Sequence, residues 1–234
     1  MMSCPSPNTL RHMTPRTPLL IAAVGGLYAT VVRDRVLTWG ATAEEANAEL
    51  PGDELLTDAD GISTRAMTIN APPNAVWPWI AQMGPAPRGG AYTYDWIENL
   101  LGLDMHSARR VLPAFQHPQV GDTIGLGANQ MRLERVEPER CLAWRSDDGN
   151  WVWSFVLHPV GQHTRLISRN RFRTPTLMTR LGMVPMEPGS LVMERKMLLG
   201  IKQRAETLAG APRDVPSAAA DELMVRKTEA ATTP

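Results

Sequence analysis

Between Val120 and Arg173 the chain is divided into short runs with alternating polarity, separated by turn residues, and this pattern limits the fold more than any other feature. Gly121-Asp-Thr-Ile-Gly-Leu, Met131-Arg-Leu-Glu-Arg-Val, Cys141-Leu-Ala-Trp-Arg, Asn150–His158 and Thr164–Arg173 each read as a strand. Glu137-Pro-Glu, Asp147-Asp-Gly and Gly161-Gln-His separate them at hairpin-like spacing, which predicts an antiparallel meander. One long helix, about Gly189 to Ala209, follows Pro185 and Pro188 and has the length to cover such a sheet. Upstream, Thr64–Ile69 reads as a strand, ended by Ala71-Pro-Pro-Asn. A helix then runs from about Asn74 to Met83, with Pro78 in its first turn and Gly84 as its C′ residue. A second short helix follows, with Asp95 and Glu98 at capping-box spacing and Gly102 as the stop. The predicted class is α+β: a curved antiparallel sheet wrapped on a long C-terminal helix, with two short helices after the first strand. A single helix across a concave sheet leaves a cavity between them.

The folded domain is expected over 62–209. A short helix and acidic connector, 39–61, precedes it along the surface, with Thr42 and Glu45 at capping-box spacing and Pro51-Gly52-Asp53 as the break. Residues 1–38 read as a disordered N-terminus containing the uncharged segment 17–32, and 210–234 as a disordered tail. As a helix, segment 17–32 would span about 24 Å against a hydrocarbon core of about 30 Å. It is expected to tether the protein at a membrane; a cytoplasmic protein, with this helix packed on the domain, is the alternative. A signal peptide ranks lower because no small-x-small cleavage site follows. Flanking arginines on both sides leave the orientation open.

The 24 basic and 24 acidic residues balance, and no basic block with interleaved aromatics suggests a nucleic-acid partner. Cys4 and Cys141 lie far apart and read as free thiols. His12, His117, His158 and His163 fall in loops or at strand ends, so no metal is predicted. With no G-x-S-x-G, Walker or dinucleotide signature, no cofactor is expected either.

The stretch Arg88–Ser107 is the densest in site-like residues, placing Tyr94, Trp96 and His106 among acids and glycines. On the closing helix, 100° per residue puts Leu191, Glu194, Met197, Leu198, Ile201, Ala205 and Leu208 on one face, opposite Arg195, Lys196, Lys202 and Gln203. Glu194 is thus an acid within an apolar stripe, where it must be paired, hydrogen-bonded or protonated. A salt bridge to a strand arginine or to His106 is the structural explanation; a polar anchor or general acid/base in the pocket is the functional one. In Thr164–Arg173 the arginines share one face, assigned to solvent, and Ser168 and Asn170 share the other, toward the cavity. Trp151, Trp153 and Phe155 alternate inward with Trp144 nearby, as core packing or as a platform for a flat ligand.

Ile69-Asn-Ala-Pro-Pro-Asn-Ala-Val-Trp-Pro-Trp-Ile-Ala-Gln-Met-Gly84 resembles the opening of the START-like, polyketide cyclase/dehydrase superfamily (SRPBCC). Tyr94–Ser107 and Val192–Lys202 resemble an uncharacterised bacterial branch of it, and the likeness covers about residues 39–209. The resemblance implies a helix-grip fold with a deep, mostly apolar cavity under the C-terminal helix. Members bind lipids, sterols, polyketides or hormones; some are cyclases, and no catalytic set is shared. The leading expectation is therefore binding or carriage of a small hydrophobic molecule, without catalysis. A ligand-binding set of Tyr94, Trp96, His106, Trp144, Trp151, Trp153, Ser168, Asn170, Glu194, Met197 and Ile201 is expected. One alternative is a cyclase/dehydratase-type enzyme with Glu194 and His106 as acid/base partners and Tyr94 as a donor. Another is a partner-binding module whose cavity is filled by its own side chains.

Overall fold

Six strands form one antiparallel sheet in the order β1-β6-β5-β4-β3-β2: β1 is Gly61–Ile69, β2 Thr123–Leu126, β3 Asn129–Glu137, β4 Cys141–Ser146, β5 Trp151–Val160 and β6 His163–Phe172. The structure is a computed structural model that describes residues 28, 32–127 and 129–210. The expected meander is β2 to β6, and β1 returns to pair with β6, Arg65 opposite Ser168 and Ser63 opposite Asn170. Five α-helices accompany the sheet among the described residues: α1 (Arg33–Leu37), α2 (Ala43–Asn47), α3 (Pro73–Ala81), α4 (Asp95–Leu100) and α5 (Leu177–Gly210).

Helix α5 is longer than the sequence suggests. It begins at Leu177 and runs through Pro185 and Pro188, where the expected helix had not yet started. An interior proline costs about 3 kcal/mol of helix propensity, so tertiary contacts have to hold this part. Glu187, only 3% exposed, accepts hydrogen bonds from Arg33 and from the Tyr28 hydroxyl. Most of the predicted stripe is realised: Glu194, Met197, Leu198, Ile201 and Ala205 are buried, while Leu191 is half-buried and Leu208 is exposed.

The outer face of the sheet corrects a second expectation. The arginines of β6 do not point into solvent, because the 39–61 connector lies over them. Arg169 is 2% exposed and donates to the carboxylate of Asp53 and to the backbone carbonyls of Glu45, Ala46 and Ala48. Those carbonyls come from the end of α2, where no intrahelical donor remains. Arg165 pairs with Glu45, and Arg171 donates to the carbonyl of Leu56. The connector approaches closely enough that a Cβ at Gly52 would lie 3.1 Å from Cβ of both Ala143 and Ser154, and Gly52 also has a left-handed φ of 101°. A small second core results, with Leu50 packed on Cys141, Val156 and Ile167. Burial pushes the Cys141 thiol up to about 12, so this free cysteine is chemically quiet. The predicted capping box at the start of α2 is present: Thr42 accepts from the Glu45 N–H, and Glu45 accepts from the Thr42 N–H.

At α4 the expected capping box does not form. Tyr94 is the N-cap and makes no side-chain cap, while the Asp95 carboxylate accepts from the backbone N–H and hydroxyl of Ser107. Glu98 is left free to turn inward.

Most of the expected anchor at 17–32, and the expected tail at 211–234, lie outside the described residues. Within that segment Tyr28 is described, docked on α5 through Glu187. No helix among the described residues is long and apolar enough to cross a membrane.

Candidate functional site

The concave face of the sheet, α1, α4 and α5 enclose a cavity of about 530 Å³. Its apolar wall comes from Leu37, Phe172 and four methionines of α5, Met183, Met186, Met193 and Met197. Trp151 and Trp153 line it from β5, nearly parallel at 15° with ring centres 6.0 Å apart, and Trp153 leans on Phe155 at 4.8 Å. Period-two alternation aims these indoles inward, and their N–H groups need partners in an apolar setting.

Those partners lead to Glu194. The Trp153 indole donates to Ser168 Oγ and the Trp151 indole to Asn170 Oδ1, each at 2.9 Å. Ser168 Oγ donates to Glu194, and Asn170 Nδ2 lies 3.3 Å from Glu194 Oε1. Arg65, fully buried on β1, forms a salt bridge with the same carboxylate. Its remaining donors go to the Val36 carbonyl at 3.2 Å and to Ser190 Oγ at 3.0 Å. Burial raises the pKa of Glu194, while Arg65, Ser168 and Asn170 pull it back toward the charged form. The result is a closed network: a buried carboxylate whose charge and lone pairs are met by one cation and two neutral donors. Strand register builds it, since Arg65 and Ser168 are directly opposed across β1 and β6.

A second acid faces the cavity without such support. Glu98 is 6% exposed, and its Oε2 has no hydrogen-bond partner among the described residues; neither does the buried Thr93 Oγ1, which also lines the cavity. Burial lifts the Glu98 carboxyl above the ordinary glutamate value, with partial relief from the nearby Thr93 hydroxyl and a further push from Asp95.

Of the residues expected to bind a ligand, Trp151, Trp153, Asn170, Glu194 and Met197 line this cavity. Ser168 stands directly behind, bonded to Glu194. Trp144 and Ile201 are core residues, 2% and 0% exposed, packed away from the opening. Tyr94 and Trp96 sit on the outer side of α4, Trp96 being 69% exposed and Tyr94 lying under Lys196. His106 is on the surface, 2.9 Å from Asp104, so the Glu194–His106 acid/base pair does not assemble. The reason is local: Asp95 ties down Ser107, and the turn after α4 carries His106 outward.

Arg65, Glu98 and Thr93 were not singled out from sequence. Alternation does place Arg65 in line with Met67 and Ile69, a readable sign of a cation on the inner face. Glu98 was hidden by its capping-box spacing.

No family model matches the sequence, and no curated protein is similar to it. Several solved structures are similar to the chain at low TM-scores. A protein from Mesorhizobium loti is 16% identical, with 63% of this chain and 98% of that one covered, at a TM-score of 0.38. A polyketide-cyclase-like protein from Corynebacterium glutamicum is 19% identical, with 64% and 89% covered, at 0.32. A protein from Thermobifida fusca is 14% identical, with 63% and 94% covered, at 0.42. At these TM-scores the likeness lends no ligand or activity to this chain.

Proposed function

We propose that the protein binds a small hydrophobic molecule in the cavity between the sheet and α5. The observation that carries this reading is the open space of about 530 Å³, walled by tryptophan and methionine and presenting a mainly apolar surface. Pockets of some 300–1,000 Å³ with an apolar lining and a few placed polar groups are typical of small-molecule sites. Methionine side chains adapt to irregular apolar shapes, which suits a mobile guest. The open volume also argues against a module whose cavity is filled by its own side chains.

Binding is favoured over the cyclase/dehydratase alternative because the buried acid Glu194 is held by Arg65, Ser168 and Asn170, and His106 is elsewhere. A general acid/base must reach the proton it moves, and Glu194 is already engaged in the wall. Native mass spectrometry of the full chain tests the reading. An apolar molecule should be retained, and it should be lost when Met193 and Met197 are both replaced by tryptophan to fill the space. A chain that retains nothing and gives no heat on titration with apolar probes would refute it.

A further inference from the structure

We propose that Glu98 and Thr93 form a recognition point for a hydroxyl, so that the preferred ligand is a neutral apolar alcohol or phenol. The inference rests on the cavity being a ligand site.

Five charged residues line the cavity: Arg65, Arg173, Glu98, Glu187 and Glu194. Four of them are engaged, Arg65 with Glu194, Arg173 with Asp58 and Glu187 with Arg33. Glu98 alone has no cation partner among the described residues, although it is more than nine-tenths buried. Its Oε2 and the neighbouring Thr93 Oγ1 are buried and unpartnered among the described residues. Buried polar atoms in folded proteins almost always find partners, so two adjacent orphans inside a cavity mark where a guest's polar atom fits.

The chemistry of the two atoms selects that guest. A carboxylate oxygen accepts, and a threonine hydroxyl both donates and accepts. A ligand hydroxyl can donate to Glu98 Oε2 and accept from Thr93 Oγ1, which satisfies both orphans and itself. An ammonium would carry a full charge out of water into the cavity, which costs far more than burying a neutral hydroxyl, and would bring three donors where two oxygens stand open. A carboxylate would bring a second negative charge toward Glu98, and the lining cations are already paired. The three nitrogens of Arg65 are taken by Val36, Glu194 and Ser190, and Arg173, whose Nε alone is left without a partner among the described residues, is paired with Asp58. A plain hydrocarbon would leave both orphans as they are.

The full chain is titrated at pH 7 with 1-hydroxypyrene, 1-methylpyrene and 1-pyrenecarboxylate, followed by energy transfer from tryptophan. The alcohol should bind about tenfold tighter than the methyl compound, the worth of one good hydrogen bond to a charged or acidic group, and the carboxylate should be weakest. Glu98→Leu, close in volume, should bring 1-hydroxypyrene down to the level of 1-methylpyrene without weakening the latter. Thr93→Val should remove part of the preference by itself and serves if Glu98→Leu fails to fold. Equal affinity for alcohol and hydrocarbon, a preference surviving both substitutions, or tightest binding by the carboxylate would overturn the inference and leave the cavity reading standing. Failure of all three probes to bind would overturn both.

Discussion

Removing Arg65 is the sharpest test of how this protein is held together, because one side chain neutralises the acid at the centre of the cavity wall. Arg65 is 0% exposed and Glu194 7%, so water cannot replace the lost cation. Arg65→Met fills similar space but leaves a buried carboxylate with only Ser168 and Asn170 as donors. Breaking a buried pair on one side costs about 3–5 kcal/mol, a large part of a total stability of about 5–15 kcal/mol. With an m-value near 2 kcal/mol per molar urea, the midpoint should fall by about 2 M. The sign of the pH response follows from linkage. Burial already raises the Glu194 pKa, and loss of Arg65 raises it further. The folded variant then binds the proton more tightly than the unfolded chain, so its stability falls as pH rises above the ordinary glutamate value. The slope can reach about 1.4 kcal/mol per pH unit, and below that value the deficit should shrink. Arg65→Met combined with Glu194→Met removes both charges and should recover most of the loss, since apolar replacements of buried ion pairs are often neutral. A single-variant loss under about 1 kcal/mol, a deficit that does not vary with pH, or a double variant as unstable as the two singles added together would refute this account.

Three other outcomes are expected. Asp53→Asn should destabilise by about 3 kcal/mol, read as a lower Tm, because Arg169 is sealed beneath the connector; a negligible change would mean that the carbonyls of α2 satisfy Arg169 unaided. Ile201→Ala should cost about 2–5 kcal/mol in urea unfolding, since its side chain is fully buried under the sheet; a smaller loss would indicate that α5 collapses into the space. Glu98→Gln should be more stable than wild type at neutral pH and equal to it below the ordinary glutamate value of 4.5. A raised folded pKa makes wild-type stability decline as pH rises; parallel stability–pH curves for the two proteins would contradict the burial of that carboxyl.

Local chemistry and periodicity were enough to read the elements. The β5 and β6 alternation, the capping box at Thr42 and the apolar stripe of α5 from Glu194 to Ala205 all appear in the structure where short-range physics places them. Glu194 was legible for the same reason: a 100° rotation per residue puts it among Leu198 and Ile201 whatever the sheet does. Its neighbours Ser168, Asn170, Trp151 and Trp153 follow from strand alternation.

What escaped the sequence depended on contacts between distant segments. Asp95 had capping spacing but found Ser107, which turned His106 outward and Glu98 inward. Pro185 and Pro188 should have delayed α5, yet Glu187 is fastened by Arg33 from far upstream. The arginines of β6 looked like a solvent face until the connector capped them with Asp53 and the open carbonyls of α2. Sequence by itself determined which faces are apolar, because side-chain period is a property of the local backbone. Only the tertiary structure decided which charges meet: Arg65 reaches Glu194 through strand register and helix placement, while Glu98 meets no cation among the described residues. Pairing is a matter of long-range geometry, and it is the pairing that left one cavity acid closed and the other open.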